Sequence, residues 1–292
     1  MKIQPECVPC LLKRILFETE QSTTDKALQT TVLRNACKIL AEQYDPTKCS
    51  ATIATKVHKN AYETLKDSDP YAELKKTSNT VALSLVPKVE KLLKSSKDPL
   101  KTAILCSIIG NTMDFGIEGS SDRPQSLEKM FHTLYTDGFG YDDYPKLKKI
   151  LSAATRLVFF TDNCGEIVFD KILCEQLKQF NPSLHIIIVV KGEPVLSDAT
   201  LEDADALNLD KVADEILTTG CFAVGVDFES LPPEALNALK HADLVVCKGM
   251  ANYESFSETT YLPIVYLLRT KCMVIARSMD VPLHVNAIKL YS

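Results

Sequence analysis

The stretch RLVFFTDNCGEIVFDKILCEQLKQF, residues 156–180, holds a strand, a loop and a helix in one run. Arg156 to Phe160 is a short apolar and aromatic segment of strand length, and from Glu166 onward the apolar residues fall at helical spacing. The same grammar repeats downstream. LHIIIVV (184–190), DEILTT (214–219), ADLVVC (242–247) and CMVIAR (272–277) read as strands, with TLEDADALN and PPEALNALKHA as helices between them. Continuous apolar strands alternating with helices require a mostly parallel sheet with helices on both faces, a Rossmann-like α/β arrangement.

The first hundred residues follow a different period. CLLKRILFE and TTDKALQTTVLRNACKILAEQY keep apolar residues on one helical face, and Asp69-Pro70 offers an N-cap and a first-turn proline for the helix that follows. No strand is expected before residue 100. The chain therefore divides into a helical region (1–115), a linking segment rich in Gly, Ser, Asp and Pro (116–150), and an α/β domain (151–292).

At 292 residues the chain can bury a core without disulfides, and 46% hydrophobic with 24% charged residues is an ordinary globular composition. A net charge of −5 argues against nucleic acid as a general partner. Lys13, Arg14 and Glu18 interrupt the N-terminal apolar run too early for a membrane span, so the expected location is the cytoplasm, with no membrane partner. In that reducing compartment the ten cysteines read as free thiols. Their one local pattern, Cys7-Val8-Pro9-Cys10, suits packing, half of a metal site or a redox pair, and no second CxxC completes a zinc set. None of the five histidines falls in the strand-end segments, and none is assigned a catalytic role.

Ligands of parallel sheets bind beyond the carboxyl ends of the strands. Four segments put polar groups there or beside it. TDNCGE offers Asp162 and Asn163 as hard oxygen donors suited to Mg²⁺ or Mn²⁺, though both also suit helix capping. KGEPVLSDATLEDA brings Asp198 to the next strand end, and a shared edge for both sites goes beyond what capping explains. VVCKGMANYESF places Lys248 and Gly249 as an ammonium and a close N–H for an anion, with Asn252 and Glu254 nearby. In IIGNTMDFG, Asn111 and Asp114 share a face if the helix runs that far, behind the apolar AILCSII.

Taken in order, CVPC, DPYAELKKTSN, GNTMDFG, FFTDNCGEIVFD, VVKGEPVLSDATLEDA, DLVVCKGMANYE and KCMVIA resemble the damage-control phosphatase family, long filed as domain of unknown function 89. The CxxC start is similar to the family's microbial and archaeal branch. The resemblance implies a metal-dependent phosphatase acting on small phosphorylated metabolites, sugar phosphates or damaged phospho-compounds. It carries the divalent cation (Mn²⁺, Mg²⁺, Co²⁺ or Ni²⁺) to Asp162, Asn163 and Asp198. It carries the phosphate-facing lysine to Lys248, and cleft roles to Asn111, Asp114 and Glu166. Three positions depart from the family pattern: Ser197, Lys191 and Cys164 stand where Asn, Arg and Ala are usual.

Such a cation would orient a phosphoryl group for in-line attack by water, with Asp162, Asp198 or Glu166 as base and Lys248 on the equatorial oxygens. Attack by Asp162 itself, through an aspartyl-phosphate, is the other route. Two rival readings are an S-adenosylmethionine-dependent carboxyl methyltransferase, disfavoured by the single glycine of TDNCGE, and a non-catalytic metal-binding metabolite sensor.

Overall fold

A computed structural model describes residues 1–112 and 126–292. Five helices occupy the N-terminal part: α1 (Cys7–Ser22), α2 (Lys26–Gln43), α3 (Ser50–Leu65), α4 (Ala72–Ser95) and α5 (Pro99–Gly110). After α6 (Ser126–Asp137) come β1 (Phe139–Asp142), α7 (Tyr144–Leu151), β2 (Arg156–Phe160), α8 (Glu166–Phe180), β3 (His185–Val190), α9 (Leu201–Ala206) and β4 (Glu215–Thr218). The chain closes with α10 (Pro233–Lys240), β5 (Leu244–Lys248), α11 (Gly249–Phe256), β6 (Ile264–Arg269), α12 (Met273–Met279) and β7 (Asn286–Tyr291). Among the described residues, no helix is long and apolar enough to cross a membrane.

The seven strands run in the order β1-β7-β6-β5-β2-β3-β4 and pair in parallel, except that β6 and β7 are antiparallel. The chain steps outward from β2 to β3 and β4, then returns to place β5 on the other side of β2. The crevice between the ends of β2 and β5 is therefore the topological switch point, the place where such sheets leave room for a ligand. Period-two alternation sorts the strands between two cores. Leu157, Phe159, Ile186, Ile188, Leu244 and Val246 join the cluster that includes α5 and α8. Val158, Phe160, Ile187, Val189, Val245 and Cys247 join the cluster on the opposite face, with α10, α11 and α12. A third cluster, around Ile15, Val32, Ile53 and Val57, unites α1, α2 and α3.

The mostly parallel α/β sheet matches the sequence reading, with three differences. CMVIAR is a helix: Val274, Ile275, Ala276 and Met279 are buried on one helical face, and Cys272 is the extended N-cap of α12. A short apolar run has no period long enough to separate strand from helix, and here the strand is the preceding IVYLLR. The sequence reading lacks β1, β6 and β7, and β1 lies inside the segment read as a linker. Asp69 is not the cap of α4. It turns the chain ahead of it, accepting from Tyr71 N at 3.2 Å, and Tyr71 is the N-cap.

Helix α5 is apolar all round and buried along almost its whole length, so it behaves as a core element rather than a surface one. Gly110, at its end, lets it press on α8. A Cβ there would sit 2.9 Å from Glu166 Cα and 2.9 Å from Phe169 Cδ2. Backbone cannot yield as the tip of a flexible side chain can. Gly110→Ala is expected to destabilise the fold by about 1–3 kcal/mol, read as a lower urea midpoint at unchanged slope. A variant of parental stability would show that α5 and α8 separate freely.

Candidate functional site

The loops after β2 and β3 are stitched together by backbone. Asn163 and Asp198 form an antiparallel bridge, Cys164 N donates to Ser197 O at 2.7 Å, and Ala199 N donates to Asp162 O at 2.8 Å. Two residues distant in sequence are thereby fixed side by side. Asp162, Asn163 and Asp198 are buried, and all three line one cleft of about 100 Å³. A larger groove of about 650 Å³, walled by Tyr253, Tyr266 and Tyr291, contains none of these three residues.

Side chains tighten the arrangement. Asn163 Nδ2 donates to Asp162 Oδ2 at 2.7 Å and to Glu166 Oε2 at 3.1 Å, while Ser197 Oγ donates to Asn163 Oδ1 at 2.6 Å. From the end of α5, Asn111 Nδ2 reaches Asp162 Oδ2 and Glu166 Oε2, each at 2.9 Å. Gly249, at φ +72°, has no room for a side chain, since a Cβ would fall 1.8 Å from Asp162 Oδ2. Its glycine identity is thus required twice, by the left-handed backbone and by the close approach.

Behind this layer Lys248 is completely buried. Its Nζ bonds to Glu166 Oε1, to Asp170 Oδ1 at 2.9 Å and to Ser107 Oγ at 2.6 Å. The ammonium therefore lies under the cleft, and Lys248 is not among the residues lining it. Burial opposes its charge, but the Asp170 and Glu166 carboxylates outweigh that and hold its pKa above the ordinary lysine value. Asn252 donates to Thr161 O at 2.9 Å and to Lys248 O at 2.7 Å, so its amide joins the ends of β2 and β5. Asp114 lies outside the described residues.

Lys191 places Nζ 3.3 Å from Asp198 Oδ2 and also donates to the carbonyls of Ala223 and Gly225. The sequence reading noted Lys191 and Ser197 only as departures, whereas both bond directly to the candidate ligands. It missed Ser107, whose signal was a hydroxyl within the apolar AILCSII. It also missed Asn79, which accepts from Gly165 N at 2.6 Å and anchors the turn into α8. Cys164 packs as a core residue, its thiol raised far above the usual range by burial.

The donor set fits a hard divalent cation. Lys191 pairs with Asp198, Lys248 with Glu166 and Asp170, and Lys271 Nζ donates to Asn111 O at 2.7 Å, while Asp162 accepts from the amides of Asn111 and Asn163. Asn111 Oδ1 is buried without a hydrogen-bond partner among the described residues, an acceptor oxygen beside the candidate donors. Among the described residues, no group of three or more His, Cys, Asp or Glu is arranged to hold a metal. The candidate set is instead two carboxylates and one amide, the oxygen chemistry that suits Mg²⁺ or Mn²⁺.

Asp170 is pushed up to about 6, first by burial, with Lys248 pulling the other way and the Glu166 charge adding to the rise. Its folded-state pKa exceeds the ordinary 3.8, so the folded protein binds more protons between about pH 4 and 6. The stability tied to this carboxyl is present below about pH 4 and is lost as pH climbs toward 6. Asp170→Asn removes that titration. Relative to the parent, the variant is expected to gain stability steadily over this window in urea titrations at several pH values. A stability difference independent of pH would contradict the assignment.

Comparison with known proteins places the chain in a family. A profile of the damage-control phosphatase ARMT1-like domain matches residues 3–285. A damage-control phosphatase of Archaeoglobus fulgidus is 40% identical over 281 residues, covering 96% of each chain. A damage-control phosphatase of Pyrococcus horikoshii is 30% identical over 282 residues, covering 97% of this chain and 96% of that one. The crystal structure of a DUF89 family protein from Pyrococcus horikoshii superposes over 100% of both chains with a TM-score of 0.90 at 29% identity. With the sheet, the switch-point cleft and these matches together, the chain belongs to the damage-control phosphatase ARMT1-like family.

Proposed function

We propose that this protein hydrolyses small phosphate monoesters, sugar phosphates or damaged phospho-metabolites, with a divalent cation held by Asp162, Asn163 and Asp198. The observation that carries the reading is the convergence of those three side chains, from two strand ends, on one cleft at the switch point. The phosphatase names of the two relatives support the reaction class. When bound, the cation supplies charge withdrawal from the phosphoryl group and orients it for in-line displacement.

The chain's own residues divide the remaining work. Glu166 has one oxygen on Lys248 and the other on Asn111 and Asn163, so it positions the donor set rather than accepting a proton from water. Lys248 acts through Glu166 and Asp170, holding the knot from beneath. Asp162 and Asp198 border the cleft, together with His58, Glu6 and Glu254, and are placed to accept a proton from a water there. Arg14 of α1 lines the same cleft and brings a guanidinium to it, a group suited to phosphate oxygens.

The test is a phosphatase screen over a metabolite panel with Mg²⁺, Mn²⁺, Co²⁺ and Ni²⁺, alongside Asp162→Ala and Asp198→Ala. Turnover is expected to vanish with chelator. Each substitution is expected to lower it by at least about a hundredfold and to weaken cation binding in calorimetric titration. Retention of both turnover and cation affinity by the two variants would refute the site. A phosphoenzyme trapped by rapid quench would replace water attack by attack from Asp162.

A further inference from the structure

Three thiols that this chemistry does not use line the same cleft. Cys7 opens α1, Cys10 follows it by three residues, and Cys272 caps α12, yet all three share a wall with Asp162, Asn163 and Asp198. Cys10 is exposed, Cys7 and Cys272 are half-buried, and no disulfide joins any of the ten cysteines, all of which lie among the described residues. Cys7 and Cys272 pack against the same apolar cluster. The Cys7 thiol, pushed up to about 11 by burial, also feels the charges of both Cys272 and Cys10, which makes it the common neighbour of the other two. Cys106, Cys164, Cys174 and Cys247, by contrast, are enclosed in the core.

We propose that Cys7, Cys10 and Cys272 form an oxidation site at the cleft, in which hydrogen peroxide drives a disulfide between Cys7 and Cys272 that closes down substrate access. Exposure makes Cys10 the entry point. Its thiolate attacks a peroxide oxygen, giving a sulfenic acid and, with one proton, water. The Cys7 thiol displaces a second water from that sulfur, forming a Cys7–Cys10 disulfide. The Cys272 thiolate then attacks Cys7 sulfur and releases Cys10 as thiolate. In sum, two thiols and one peroxide become one disulfide and two waters. A bridge within α1 ties nothing across the cleft, whereas a Cys7–Cys272 bridge fixes the start of α1 to the start of α12. A disulfide holds its Cβ atoms about 3.8 Å apart, so both walls must meet that spacing.

The inference uses the phosphatase reading for one readout only, because the cross-link is detected without any activity. The full-length protein with its activating cation is exposed to hydrogen peroxide, alkylated, digested without reductant and mapped by mass spectrometry. A peptide joining Cys7 to Cys272 is expected, with a fall in turnover of roughly tenfold or more that dithiothreitol reverses. Cys272→Ser is expected to stop at the Cys7–Cys10 bridge and to keep the same turnover before and after peroxide. Cys10→Ser is expected to slow cross-linking about tenfold. Full alkylation of Cys7 and Cys272 after peroxide would overturn the proposal. Equal peroxide sensitivity in the parent and in Cys272→Ser would do the same.

Discussion

The buried ammonium of Lys248 is the constraint around which the site is built. It is held by Glu166 and Asp170 from α8 and by Ser107 from α5, while its own backbone ends β5. Three elements distant in sequence therefore meet at one nitrogen. A buried ion pair gains little net stability, because dehydration of the charges offsets their attraction. Its effect here is on arrangement. With Glu166 Oε1 fixed by Lys248, Glu166 Oε2 is left to orient the amides of Asn111 and Asn163, and those amides orient Asp162.

Above that knot the donor set is made by backbone pairing. The Asn163–Asp198 bridge and the Ala199 N to Asp162 O bond join loops from adjacent strands. Rigid strand ends hold polar side chains more accurately than free loops, and accurate placement is what metal-assisted chemistry needs. The tight contacts at Gly110 and Gly249 serve the same end. One brings α5 against α8, and the other lets the chain leaving β5 pass directly beside Asp162.

The α1 helix completes the cleft from outside the α/β sheet. Its residues Cys7, Cys10, Leu11 and Arg14 fall on one face and supply both apolar surface and a cation. The proposed redox site draws Cys7 and Cys10 from α1 and Cys272 from the start of α12, outside the loops that carry Asp162, Asn163 and Asp198.

The run RLVFFTDNCGEIVFD determined by itself that a buried strand ends in a polar loop ahead of a helix, since period and composition are local properties. In the same way Asp162, Asn163 and Asp198 were legible as strand-end oxygens before any contact was known. CMVIAR was not, because five apolar residues and an arginine satisfy strand and helix alike and only packing against the neighbouring core separates them. Tertiary structure alone decided that Lys248 lies beneath the cleft rather than in it, that Ser107 and Asn79 support the site, and that CVPC faces the same cavity as Asp198. Those facts depend on which distant segments meet, and that is fixed by strand order and the burial of charge.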